Sequence, residues 1–256
     1  MNAANPALFA NLQAYWGGYD RRVSTPTAPG VVAYASGLSH PLFNGVLSAR
    51  LDPSALPATA GRLREQFAAL GLPATWWVGP DSEPADLGER LAALGFPQVD
   101  AAELMAIDLA SLPDEAPPVG LEVRPVEEPD EVRAWAGVVT EVFHVSGPAG
   151  PAYAALEAAN PATERYARFG GWADGRLVAT AALTTDAGVA GIYAVATLAA
   201  YERRGYGRAL TLAALREGRR RGLAVGTLQA TRAGHPVYRR LGFVDLGTFR
   251  LHALAG

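Results

Sequence analysis

Tyr201-Glu202-Arg203-Arg204-Gly205-Tyr206-Gly207-Arg208-Ala209-Leu210 decides how this chain is read. It follows a β-like run, Gly188 to Thr197, and opens a helical run, Ala209 to Gly222. Gly205 and Gly207, one residue apart, allow a tight backbone turn that leaves several N–H groups without helical partners. Amides gathered at a helix N-terminus attract an anion through hydrogen bonds and the helix dipole. Arginines at 203, 204 and 208 add positive charge. The stretch has the chemistry of a pyrophosphate cradle, and an ordinary glycine turn is the simpler alternative.

The residues after the loop narrow the choice. Leu223 to Thr231 is a strand candidate, and a short helix then carries Val237-Tyr238-Arg239-Arg240-Leu241-Gly242-Phe243. Strand, glycine loop, helix, strand and Tyr-x-x-x-Gly-Phe together resemble the GNAT superfamily of N-acetyltransferases over about residues 121 to 254. In that family the loop reads Arg/Gln-x-x-Gly-x-Gly/Ala and holds the pyrophosphate of acetyl-coenzyme A. The last five positions fit as Arg203 to Gly207, and Glu202 departs from the pattern at the first.

Composition is compatible with this. Half of the 256 residues are hydrophobic and 18% are charged, enough apolar matter for a core. The net charge of -3 argues against a general nucleic-acid binder. Without cysteine there is no disulfide, no thiolate zinc site and no cysteine acyl-enzyme, and histidines at 40, 144, 235 and 252 lack metal-motif spacing, so no metal is expected. All 22 basic residues are arginine. Met1 to Pro6 has no signal-peptide character and no stretch approaches a membrane span, so neither a membrane nor a nucleic-acid partner is expected and a cytoplasmic location is the default.

Ala110 to Gly120 is proline-rich and acidic and reads as a linker. It separates a domain at 1–110 from one at 121–256, with the linker proper at 111–120. The halves echo each other: Leu51 to Gly95 spans 44 positions and Thr197 to Gly242 spans 45, each running from a strand end through helix, strand and helix to Leu-Gly-Phe. The expected fold class is α/β with mixed sheets: two tandem GNAT-like domains, each a mixed β-sheet flanked by helices. The first copy has Asp52 to Pro57 where the glycine loop should be, and Pro53 and Pro57 have no N–H to give. It is expected to be a degenerate copy that does not hold coenzyme A in the usual way.

The resemblance implies site residues. Arg203, Arg204, Gly205, Tyr206, Gly207 and Arg208 would hold the pyrophosphate. Val195, Ala196 and Thr197 on the preceding strand would pair with the pantetheine arm and aim an amide at the thioester oxygen. Thr231 would offer a polar contact to the cofactor. Tyr238 would be the general acid, since a phenol retains its proton at neutral pH; packing is its other reading. Glu141, His144, Glu157 and Asp186 are candidates for a base. Arg219 to Arg221 reads as a complement to the C-terminal end of a helix dipole. The function implied is direct transfer of an acetyl group from acetyl-CoA to a small-molecule or peptide amine, by a monomer or homodimer. A non-catalytic acyl-CoA binding or sensing module is the alternative, and a structural protein of two decayed copies is a third.

Overall fold

A computed structural model describes residues 5–19 and 27–255. Met1 to Ala4, part of the stretch read for a signal peptide, lie outside the described residues. The chain forms two compact units: one holds residues 105–228 and 234–244, the other 2–104, 229–233 and 245–256.

The unit around the glycine loop contains β5 (Glu122–Pro125), α4 (Pro129–Val142), α5 (Ala149–Ala158), β6 (Tyr166–Ala173), β7 (Arg176–Thr184), β8 (Ala190–Thr197), α6 (Tyr206–Arg220), most of β9 (Val225–Ala230) and α7 (His235–Leu241). Its strands run in the order β9-β8-β7-β6-β5. They are antiparallel except for the parallel β8–β9 pair. Asp174 and Gly175, both at positive φ, make the tight turn between β6 and β7. Alternation along β6 sends Gly171 toward Leu210 of α6, where a Cβ would meet the leucine at 2.9 Å, and Arg168 toward α4 and α5. Helices thus cover both faces of a mixed sheet, as expected.

The other unit contains α1 (Pro6–Gly17), β1 (Val31–Ala35), β2 (Asn44–Ala49), α2 (Leu56–Ala69), β3 (Ala74–Val78), α3 (Leu87–Ala93), the start of β4 (Gln98–Asp108) and β10 (Val244–Ala255). Its strand order is β1-β2-β3-β10-β4. One core gathers Leu63, Phe67, Trp76, Leu87 and Leu91 with Leu254 of β10. A second, aromatic cluster joins Trp16, Tyr34, Phe43, Trp77 and Phe249.

The repeat is visible in the ladders. β2 pairs with β3 at Gly45↔Thr75 and Val46↔Trp76; β8 pairs with β9 at Ala190↔Gly226 and Gly191↔Thr227. The first strand of each parallel pair is followed by helix, strand and short helix in the same order.

The compact units do not divide at the proline-rich segment, where the sequence reading sets the boundary. The last strand of each half is exchanged. β10 pairs with β3 from Arg250↔Val78 to Ala255↔Ala74, so a strand within the range read as the second domain completes the unit of the first. The end of β4, from Met105, lies in the unit of β8: Thr227 Oγ1 donates to the Met105 carbonyl at 3.0 Å and the Leu109 amide to Ala224 at 2.9 Å. The segment read as a linker is also anchored. Arg216 donates to the carbonyls of Pro113 and Glu115 at 2.9 and 2.8 Å, holding residues 113–118 as a strap along α6.

Candidate functional site

α6 begins at Tyr206, three residues before the expected start, so Tyr206, Gly207 and Arg208 form its first turn. Arg203 (φ 57) and Gly205 (φ 82) are both left-handed, which bends the approach to the helix into a concave nest. Among the described residues, the amides of Arg203 through Arg208 donate to no protein acceptor, while the Ala209 amide returns to Gly205 at 3.0 Å. Six successive free N–H groups at the head of a 15-residue helix are donors of the kind that suits an anion.

The arginines of the loop differ in what occupies them. Arg208 makes a bidentate ion pair with Glu115 of the strap, at 2.7 and 2.9 Å. Arg204 donates to the Ala200 carbonyl at 3.0 Å and lies over the Tyr201 ring. Arg203 has no ion pair or hydrogen bond among the described residues. Pro118 of the strap stands 3.4 Å from where a Cβ on Gly205 would be. Strap and α6 border an open groove of about 410 Å³. Glu115, in a segment read only as a linker, is thus a neighbour of the loop that sequence reasoning missed.

β8 leads into this loop. After Gly191 its register pairs with β9 cease, although β8 runs on to Thr197. The Leu198 amide donates to Val178 on β7 at 2.9 Å, and Ala196 is aligned with Thr180. By antiparallel alternation the Ala196 amide therefore faces β7, while those of Val195 and Thr197 face the open edge. The three strand amides thus differ in facing, those of Val195 and Thr197 toward the open edge and that of Ala196 toward β7. Gly207 faces the same place, for a Cβ there would meet Thr197 Oγ1 at 3.6 Å and Val195 Cγ1 at 3.8 Å.

Tyr238 is buried on α7, its ring edge-on to Phe243 at 5.8 Å. Beside it is Thr211 of α6, whose hydroxyl donates to the Gly207 carbonyl at 2.8 Å. Tyr238 is thereby linked to the first turn of α6. Burial pushes its phenol up to about 12, so it holds its proton throughout the neutral range. Thr231 lies in residues 229–233, which group with the other unit and not with the loop.

The base candidates separate. Glu157 is fully buried, with Arg168 Nε at 2.6 Å and the Tyr166 hydroxyl at 3.1 Å; it anchors α5 and is committed to a cation. Asp186 accepts from Thr184 Oγ1 at 2.9 Å. Glu141 and His144 are exposed around the end of α4. Arg220 and Arg221 both pair with Glu217 at the end of α6, in keeping with a structural part for that run.

The first copy is closed where the second is open. Its Leu51 amide donates to Glu83 at 3.0 Å and the Glu83 amide to Ala49 at 2.9 Å, while Ser48 Oγ donates to Asp81 at 3.0 Å. Its own chain thus fills the edge that β8 leaves bare. Asp52 accepts the Ser54 amide at 2.8 Å just before α2, a built-in carboxylate where a ligand's anion would go.

The comparisons with known proteins bear on this geometry. Residues 131–243, which include the loop, β8 and Tyr238, match the acetyltransferase (GNAT) family. These residues resemble a GNAT domain. The fold of the whole chain is similar to that of a GCN5-related N-acetyltransferase from Kribbella flavida, with 22% identity, a TM-score of 0.76, and 99% of this chain and 96% of that one covered. A tandem GNAT protein from the clavulanic acid biosynthesis pathway has 16% identity, a TM-score of 0.59 and the same coverage. A GCN5-related N-acetyltransferase from Sphaerobacter thermophilus has 19% identity and a TM-score of 0.66, over 88% of this chain and 77% of that one. No curated protein matches the chain. The expected fold class, mixed α/β of GNAT type, is that of these structures, one of which is described as a tandem GNAT protein. Among the described residues no helix is long and apolar enough to cross a membrane, and no group of three or more His, Cys, Asp or Glu could hold a metal ion.

Proposed function

We propose that this protein transfers the acetyl group of acetyl-CoA directly to an amine, using the GNAT domain at 131–243. The observation that carries the reading is the nest of six unpartnered amides, Arg203 to Arg208, at the head of α6. A diphosphate supplies the acceptors that these donors lack, and the side of Gly207 is bare where a Cβ would face Thr197 and Val195.

In this reading the loop amides and Arg203 hold the diphosphate, with Arg208 available once Glu115 is displaced. The amide of Val195 or Thr197 faces the acyl oxygen and stabilises the charge that develops there. A C–N bond to the amine forms as the C–S bond breaks; the Tyr238 phenol gives its proton to the departing sulfur and the amine's proton leaves to water. With no cysteine in the chain, a cysteine-bound acyl intermediate is not open to it, which favours direct transfer. The acceptor is a small-molecule or peptide amine. The first copy, with its edge closed by Glu83 and its helix mouth closed by Asp52, plays no part in binding the cofactor.

Calorimetric titration with acetyl-CoA tests this. Saturable one-to-one binding is expected, abolished by Gly207→Asp, which adds bulk and negative charge to the cradle. Absence of binding at millimolar acetyl-CoA overturns the reading.

A further inference from the structure

Between the pairs Thr180↔Ala196 and Ala182↔Tyr193, β7 has one residue and β8 has two, Ala194 and Val195. This is a β-bulge, and its first residue, Ala194, sits at φ 49. Alanine in the left-handed region is strained by about 1–2 kcal/mol and persists only where its surroundings impose it. One buried group does so: Thr180 Oγ1 donates to the Ala194 carbonyl at 2.7 Å.

The bulge also changes the facing of everything after it. Tyr193 is aligned with Ala182 and Ala196 with Thr180, so β8 takes three steps where β7 takes two. An unbulged strand alternates strictly, so losing the extra residue would exchange the sides of Val195 to Thr197. The bulge is therefore what turns the Val195 and Thr197 amides to the open edge of β8. Exposure along β8 begins at the bulge: residues 190–193 are buried, and Ala194, Val195 and Thr197 are partly exposed.

We propose that Thr180 is a positioning residue of the acyl-transfer site, its hydroxyl holding the Ala194 bulge that points two β8 amides at the ligand. The inference rests on the reading of the loop as an acyl-CoA site and assigns to β7 a part in it. Thr180 acts through the backbone of β8 and touches no ligand.

Thr180→Val keeps the size and β-branching and removes only the donor; Thr180→Ser restores it. Binding is measured by calorimetry for acetyl-CoA and for adenosine 3′-phosphate 5′-diphosphate, which has the diphosphate and lacks the pantetheine arm. Thr180→Val is expected to weaken acetyl-CoA about tenfold, the scale of one or two misdirected hydrogen bonds, and to leave the diphosphate fragment unchanged. Thr180→Ser is expected to bind both like the wild type. Equal acetyl-CoA affinity in wild type and Thr180→Val overturns the inference and leaves the loop assignment standing, as does an equal loss of both ligands, which marks general damage. If the wild type binds neither ligand, the loop reading fails and this inference with it.

Discussion

Replacing Gly207 by alanine separates what the loop does for folding from what it does for binding. Gly207 lies in the first turn of α6 outside the left-handed region, and a Cβ would have its nearest neighbours at 3.6 and 3.8 Å, ordinary contact distances. No strain is introduced, and alanine favours a helix over glycine by up to about 1 kcal/mol. The melting temperature should hold or rise by about 2–4 °C. Binding should move the other way. Phosphate oxygens must come within about 2.7–2.9 Å of the amides they accept from, and the new methyl occupies the side facing Thr197 and Val195. A tenfold loss of acetyl-CoA affinity corresponds to about 1.4 kcal/mol, and at least this much is expected. Calorimetric titration and thermal unfolding of one preparation read both effects. A variant that melts higher and binds acetyl-CoA as tightly as the wild type would refute the cradle. Gly205→Ala is the less informative control, because φ 82 strains any side chain there and the fold itself would weaken.

Other outcomes rest on the same geometry. Tyr238→Phe should lower turnover about 100-fold if the phenol donates the proton; because burial holds that phenol near 12, the wild-type rate should show no Tyr238-dependent decline between pH 7 and 10. Glu157→Ala leaves Arg168 buried without its carboxylate and should cost about 3–5 kcal/mol of stability, read as a lower denaturant midpoint; a loss under 1 kcal/mol would mean that the pair is not buried in solution. Glu217, paired first with Arg220 and then with Arg221, is held down at about 2. A depressed carboxylate contributes stability above its unfolded value, and that contribution is lost as pH falls through the folded one. Glu217→Gln should therefore narrow the stability difference between neutral pH and pH 2, measured by denaturant titration at each pH.

Local signals made much of this legible from sequence. Gly205-x-Gly207 announced its turn, and Tyr238 to Phe243 the short helix and its glycine end. Each works within a few residues, where φ preferences and side-chain periodicity act directly. Three features had no such signal. The bulge at Ala194 is held by a hydroxyl from another strand, so nothing in Ala-Val-Ala marks it. The strap at 113–118 has the composition of a linker, and only its hydrogen bonds to α6 make it part of the site. The exchange of final strands is a choice between similar partners: β4 and β10 each follow the short helix of their half, and an alternating strand pattern does not say which earlier strand it will join. Arg208 was legible as a cation near the loop, but its commitment to Glu115, 93 residues away in sequence, was not.

That exchange also sets an order of events during synthesis. Domains of a nascent chain commonly fold in turn, the earlier one first. Here β3 lacks its neighbour, and the core around Trp76 lacks Leu254, until residues 245–255 have left the ribosome. The half made first is the one that must wait, while the loop-bearing unit, closed by residues 105–108, already has its pieces once Val244 emerges. Chains arrested after Val244 should show protease resistance across 105–244 and cleavage within 27–104. Resistance of both would mean that the first half can close on itself.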